Sequence, residues 1–331
     1  MIGVRVTPDL DTLASIPIKA DYGVERDPDV AFDGTNYLVV WSEGIFGGEF
    51  KVKAARVTTD GVVIDSGIPF GGGAMFEYKP VVAFDGSRYL SVWYNYSQDP
   101  KGIFGRFIDT DCQPQGPVLE IRASNLDHLF DPDIAFCNDN YLIVWNEPLV
   151  VGSDDDLLAQ LVSKSGVLVG DTIIIATGSK NQLTPRLTVS DNHFLVTWNQ
   201  ESKICGQWLD SNGKLIGGNF EISDPDIYDR SLPDIAFGNN NCLAVWMEYH
   251  TDEFDIYGNV DHGIKIKELF TSNINRQVVL PTIMRYNSPQ LRSGLLLYDV
   301  SGRRVSTFSL LPGIYFVEKD GRVEQKLIIV K

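Results

Sequence analysis

Three aspartates occupy the same place in a repeated unit of this chain: Asp29, Asp133 and Asp234 each follow a proline directly. Carboxyl groups gathered round one axis suit cleavage of a glycosidic bond, where one gives a proton and another acts as base or nucleophile at about 5–9.5 Å. Val81 and Arg186 hold that place in the other two copies, so the equivalence is partial. A second reading competes at all three positions: an Asp beside a proline also serves as a strand-entry residue bonded to nearby backbone.

Other reactive groups are sparse. Asp154-Asp155-Asp156 and the group Asp224, Asp226 and Asp229 offer the hard oxygens that Ca²⁺ accepts. Neither matches a calcium-loop pattern, and a solvated acidic loop is the preferred reading. His128, His193, His250 and His262 are scattered without metal-ligand spacing. Spacing shows no phosphate cradle, nucleophile elbow or Cys/His dyad. The sequence therefore names no catalytic residue, metal or cofactor, and the three aspartates stand as candidate binding residues.

The elements that would position them are legible. Pro28 and Trp41, Pro80 and Trp93, Pro132 and Trp145, Pro185 and Trp198, and Pro233 and Trp246 are each thirteen residues apart, and the units start 52, 52, 53 and 48 residues apart. After each proline comes a short apolar segment, such as Val30-Ala31-Phe32. A turn rich in Asp, Asn and Gly follows, then an aromatic and β-branched run ending in the tryptophan. That pattern predicts a β-hairpin. A third segment (Ala55-Arg56-Val57, Gly105-Arg106-Phe107) and a fourth, glycine-spaced one complete the unit. Four strands in a unit of about 50 residues are expected of a propeller blade, with each tryptophan filling the space between adjacent sheets.

Gly3-Val4-Arg5-Val6 resembles Ala54-Ala55-Arg56-Val57, so the chain starts with third- and fourth-strand sequence. The simplest ring closure gives residues 12–19 to the outer edge of the last blade, for five blades. A larger propeller whose opening strands are not in this sequence is the alternative. The expected fold class is all-β: a five-bladed β-propeller of four-stranded blades over residues 1–270 with end-to-end ring closure, then a small β-sandwich over 276–331.

Composition narrows the function classes. A net charge of -16 argues against nucleic acid, which is bound by Lys and Arg displacing counterions. Residues 276–331 hold nine Lys or Arg against four Asp or Glu, leaving 19 against 40 ahead of them, so a domain boundary is expected near 275. Cys112, Cys137, Cys205 and Cys242 show no paired spacing and are expected to be free thiols. No apolar run reaches the ~18 residues of a membrane span, and the first residues lack a secretory-signal profile.

The units of the form Pro-Asp-Val-Ala-Phe-Asp-Gly-Thr-Asn-Tyr-Leu-Val-Val-Trp (28–41) resemble β-propeller repeats of many secreted bacterial proteins. This likeness covers about residues 1–265 and implies a fold only. Leu297-Tyr298-Asp299-Val300-Ser301-Gly302-Arg303, Leu310-Leu311-Pro312-Gly313-Ile314-Tyr315 and Gln325-Lys326-Leu327-Ile328-Ile329-Val330 are similar to the C-terminal sorting domain of the type IX secretion system. That resemblance implies a β-sandwich tail read by the export machinery, and a secreted or outer-membrane surface location. Leu280-Pro281-Thr282 departs from the Asn-Pro pair with which such tails usually open.

The functional expectation is a monomeric binding or adhesion module. Its ligand, an extracellular glycan or protein, would sit on the loops around residues 43–51, 94–102, 147–157, 199–203 and 247–255. A glycoside-processing enzyme, hydrolase or lyase, using channel carboxylates is the competing class, and a structural spacer the third.

Overall fold

The computed structural model describes residues 1–6, 12–19, 23–45, 47–96, 101–124, 131–150, 152–223, 229–238, 241–250, 253–261, 281–285, 296–299, 304–305, 313–319 and 322–330. His128, His262, Asp224 and Asp226 lie outside the described residues. The chain forms two compact units, Met1–Val196 with Leu209–Ile216, and Thr197–Trp208 with Gly217–Lys331.

The fold is all-β, and the five repeats are five blades of a β-propeller. Strands β1 (Ile2–Val6) and β2 (Thr12–Pro17) form a two-stranded sheet. The first blade is β3 (Val24–Phe32), β4 (Asn36–Gly44), β5 (Phe50–Thr58) and β6 (Ile68–Pro69). The second is β7 (Glu77–Phe84), β8 (Tyr89–Asn95), β9 (Lys101–Ile108) and β10 (Pro114–Ser124). The third is β11 (Asp133–Cys137), β12 (Asn140–Glu147), β13 (Asp156–Ser163) and β14 (Leu168–Ala176). The fourth is β15 (Gln182–Ser190), β16 (His193–Gln200), β17 (Lys203–Asp210) and β18 (Leu215–Glu221). In the fifth, β19 (Asp229–Gly238), β20 (Asn241–His250) and β21 (Glu253–Asp261) make three strands among the described residues.

The turn chemistry read from the sequence is the chemistry observed. Asp33 Oδ1 accepts the amides of Thr35 and Asn36, both at 2.7 Å, and Asp85 Oδ1 accepts those of Ser87 and Arg88 at 2.8 and 2.9 Å. These Asx turns leave Gly34 and Gly86 at φ 95° and 91°, where a Cβ is costly.

The tryptophans close the gaps between blades. Trp93 lies in one core with Leu38, Val40, Val52 and Ala54 of the preceding blade, and meets Phe70 edge-on at 5.7 Å. Trp145 does the same with Val92, Ile103 and Ile121. A buried indole N–H needs an acceptor, and in four of the five blades the residue two places on supplies it, whereas Trp198 Nε1 has none among the described residues. Glu43, Asn95, Glu147 and Glu248 accept from Trp41, Trp93, Trp145 and Trp246 at 2.9–3.2 Å. The four cysteines form no disulfide, and three of them are buried.

One expected feature is corrected. Thr12–Pro17 pairs with Ile2–Val6, Gly3 opposite Ile16, and is not the outer strand of the last blade. A hairpin between neighbours in sequence closes a short loop, whereas pairing with the last blade closes one of more than 200 residues, and the entropic cost grows with loop length.

In the tail, β22 (Pro281–Arg285), β23 (Leu296–Asp299), β24 (Arg304–Val305), β25 (Gly313–Lys319) and β26 (Arg322–Val330) form one five-stranded sheet in the order β22-β26-β25-β23-β24. No helix among the described residues is long and apolar enough to cross a membrane.

Candidate active site

The first strands of successive blades pack on one another, β3 with β7, β7 with β11 and β11 with β15. They are therefore the inner strands, and what they carry converges. Three of the first strands, β3, β7 and β19, are irregular where the proline stands. The register slips between Arg26 and Asp29, Tyr78 and Val81, and Ser231 and Asp234. The residue before the proline takes a positive φ: Asp27 51°, Lys79 50°, Thr184 49° and Leu232 50°. A bulge of this kind re-aims side chains, and a non-glycine residue held there costs on the order of 1–3 kcal/mol.

Three charged residues that directly precede the repeat's proline come together from three blades. Lys79 Nζ lies 2.8 Å from Asp131 Oδ1. Asp27 sits in the field of both, and burial pushes its carboxyl above the usual range, with Lys79 opposing the rise and Asp131 adding to it. Asp131 is set in place by its amide, which donates to Asn146 Oδ1 at 3.2 Å; Asn146 Nδ2 in turn donates to Asp155 Oδ2 at 2.8 Å.

Two residues further along lie the aspartates singled out from the sequence. Asp29 Oδ2 accepts the amide of Val82 at 2.8 Å, and Asp133 Oδ2 accepts that of Leu187 at 2.7 Å. Each thus ties its blade to the inner strand of the next. Asp133 Oδ1 also accepts its own strand's Ile134 amide at 2.9 Å. The strand-entry reading therefore holds for Asp133, and a link between blades is added to it.

Asp133 stands apart electrostatically. Burial raises its carboxyl to about 7; the Arg186 guanidinium opposes the shift and the Asp29 charge adds to it. Its surface is only half-buried, so the group is enclosed by protein yet reachable from solvent.

Asp29 and Asp133 are thus brought within each other's field, in the company of Asp27, Lys79, Asp131 and Arg186. Asp234 lies in the second unit, exposed, its Oδ1 accepting the Ile235 amide at 2.8 Å. Asp27, Lys79 and Asp131 were missed in the sequence. Their signal was present, since all three directly precede the repeat's proline.

The acidic run reads differently in three dimensions. Asp155 and Asp156 are buried, and Asp156 Oδ2 accepts the Leu149 amide at 3.1 Å. They are structural acceptors, not part of a solvated loop. Among the described residues no group of three or more His, Cys, Asp or Glu side chains is placed to hold a metal ion. His193 is half-buried, its Nδ1 at 2.7 Å from the Asp191 carbonyl.

The chemistry open to this cluster is proton transfer. One carboxyl titrates near neutrality beside another that reinforces its proton affinity, a separation of roles that acid–base catalysis uses.

No protein-family model and no curated protein sequence matches the chain. Solved structures do. A thermostable family-43 glycoside hydrolase is similar over 72% of this chain and 90% of its own, at 13% identity and a TM-score of 0.47. An endo-arabinanase of Bacillus licheniformis matches over 73% and 95%, at 17% identity and 0.42. A levansucrase variant of B. subtilis matches over 72% and 84%, at 8% identity and 0.45. The likeness is one of fold. The neighbours are glycoside-processing enzymes, against the expectation of a binding or adhesion module with a carbohydrate or protein ligand on its loops, and that expectation is corrected accordingly.

Proposed function

We propose that this chain is a glycoside-processing enzyme, a hydrolase whose working groups stand on the inner strands of its blades. The observation that carries the reading is Asp133, a carboxyl raised to about 7 in the field of Asp29. A group of that affinity holds its proton in mildly acidic to neutral solution and can pass it to a glycosidic oxygen as the C–O bond breaks. Asp29 is the partner carboxylate, taking up the proton of the attacking water. Asp27, Lys79 and Asp131, each two residues before the aligned position, suit the hydroxyls of a bound sugar.

The test is turnover of a panel of neutral polysaccharides and aryl glycosides, followed by reducing-end release. The reading expects release by the unaltered protein and at least a hundredfold loss in Asp133→Asn. Absence of release across the panel rejects it.

We further propose that residues 276–331 direct the chain through the type IX export machinery to the cell surface. The three sorting-type segments and the basic surplus of that stretch support this. Deleting 276–331 should trap the protein in the periplasm, and unchanged secretion would reject the idea.

A further inference from the structure

Aromatic side chains gather where the first and second blades meet, at positions the repeat does not require. Phe76, just ahead of β7, and Tyr78 within it stack with ring centroids 6.1 Å apart and planes 9° from parallel. Tyr78 also meets Phe50, the first residue of β5 in the preceding blade, at 5.1 Å. Tyr94, opposite Tyr78 in the strand register, has Tyr96 edge-on to it at 6.1 Å. Core rings such as Tyr89 and Trp93 recur in other copies as Tyr37 and Tyr141, Trp41 and Trp145. The pair Tyr78 and Tyr96 does not recur. Its places are taken by Arg26 and Gly44, Phe130 and Pro148, Leu183 and Glu201, and Ser231 and Tyr249.

The rings are open to solvent in part and are held in place. Phe50 and Tyr94 are buried, Phe76 and Tyr78 half-buried, and Tyr96 is 41% exposed. The Phe50 amide donates to the Met75 carbonyl at 3.0 Å and the Tyr96 amide to the Phe76 carbonyl at 2.9 Å, so little ordering is left for a ligand to impose. Two cations stand over ring faces, the Arg26 guanidinium 5.2 Å from the Phe50 centroid and Lys101 Nζ 5.8 Å from that of Tyr96. The cluster is continuous with the candidate active site. Tyr78 directly precedes Lys79, the cation paired with Asp131, and its hydroxyl lies in the fields of Arg26 and Asp27.

We infer that Tyr78 and Tyr96, with Phe76, form a subsite for a further sugar of a neutral glycan chain, beyond the sugar held at the inner-strand carboxyls, so that the substrate is a polysaccharide; this rests on the hydrolase reading above. A sugar ring has faces of C–H bonds and a rim of hydroxyls. The C–H face meets the negative face of an aromatic ring as the edge of a second ring does, and the rim finds donors and acceptors in the tyrosine hydroxyls, Arg26 and Lys101. Tyrosine supplies that contact area with few rotors to fix. Apolar walls carrying a few placed polar groups are the make-up of a small-molecule site. Asp27 and Asp131 beside it disfavour an acidic chain, and continuity with Lys79 and Asp27 favours a glycan over a protein partner.

The test uses the full chain carrying Asp133→Asn, so that binding is read apart from turnover. Oligosaccharides of two and six sugars, prepared from each neutral polysaccharide of the panel, are titrated into it by calorimetry. Roughly tenfold tighter binding of the longer one is expected for at least one member. That advantage should fall to about twofold or less on adding Tyr96→Ala, a change at an exposed position, or Tyr78→Leu, which keeps bulk without the ring, with cooperative unfolding retained in both. An advantage that survives both changes overturns the inference, even where the unaltered protein releases sugars and the hydrolase reading stands. Binding of no member of the panel overturns it as well. Loss of the advantage in a chain whose unaltered form releases nothing supports the subsite and rejects the hydrolysis alone. Self-association abolished by Tyr96→Ala assigns the rings to a protein contact and overturns the inference.

Discussion

Asp29 strengthens the hold of Asp133 on its proton, although the two stand on inner strands of blades that are not neighbours. Burial is the larger cause, and Arg186 works against both. The pair is held by the backbone of the intervening and following blades, through the amides of Val82 and Leu187.

A pH–rate profile should show this coupling. With Asp133 as proton donor, kcat/KM falls as pH rises through about 7, because the donor form is lost. Asp29→Asn removes the repulsion and should move that limb to lower pH, while Arg186→Gln should move it higher. A limb that stays in place in both variants excludes Asp133 as the donor.

Stability carries the same signature with a definite sign. The folded carboxyl of Asp133 binds its proton more tightly than the unfolded one, so this group's contribution is present at low pH and is lost as pH rises from about 4 towards 7. In urea titrations at pH 5 and pH 8, the stability of Asp133→Asn relative to the unaltered protein should improve at the higher pH. An equal difference at both shows that the group titrates normally.

Trp145 fills the space between the second and third blades. Trp145→Ala should cost about 3–5 kcal/mol, and Trp145→Phe less, since most of the apolar volume remains. Glu147, the acceptor of the Trp145 indole, also holds Arg122 Nε at 2.8 Å. Denaturant midpoints separate this from a surface role, for which both changes would be near neutral.

Arg230 and Glu248 form a buried ion pair at 2.8 Å, with the Trp246 indole on the same Glu248 oxygen. Arg230→Met leaves a buried carboxylate without its cation and should cost on the order of 3–5 kcal/mol. Arg230→Met with Glu248→Gln should recover most of that, because the indole keeps an acceptor and the charge is gone. A double-mutant cycle by chemical denaturation reads the difference.

Much of the fold was legible because it follows from local chemistry. Asp33 and Asp85 accept their own downstream amides to close turns, and the aromatic and β-branched runs Tyr37–Trp41 and Tyr89–Trp93 lie within the second strands of their blades. The site was legible only in part. Equivalence in the repeat identified Asp29 and Asp133, but that Asp27, Lys79 and Asp131 meet depends on how neighbouring blades pack, which no single unit reveals. Asp155 and Asp156 misled in the other direction. Their run of charge reads as solvated until Asn146 and the Leu149 amide are found to claim it. The pairing of β2 was misjudged because repeat equivalence assigns a strand its place in a blade and says nothing of which edge it bonds.

The central claim is that the inner-strand carboxyls cleave glycosidic bonds, and reducing-end release from the panel of neutral polysaccharides and aryl glycosides, measured side by side for the unaltered protein, Asp133→Asn and Asp29→Asn, tests it most directly. The account predicts release by the first and a loss of at least a hundredfold in both variants, with cooperative unfolding retained. Equal rates in all three, or no release by any of them, would contradict it.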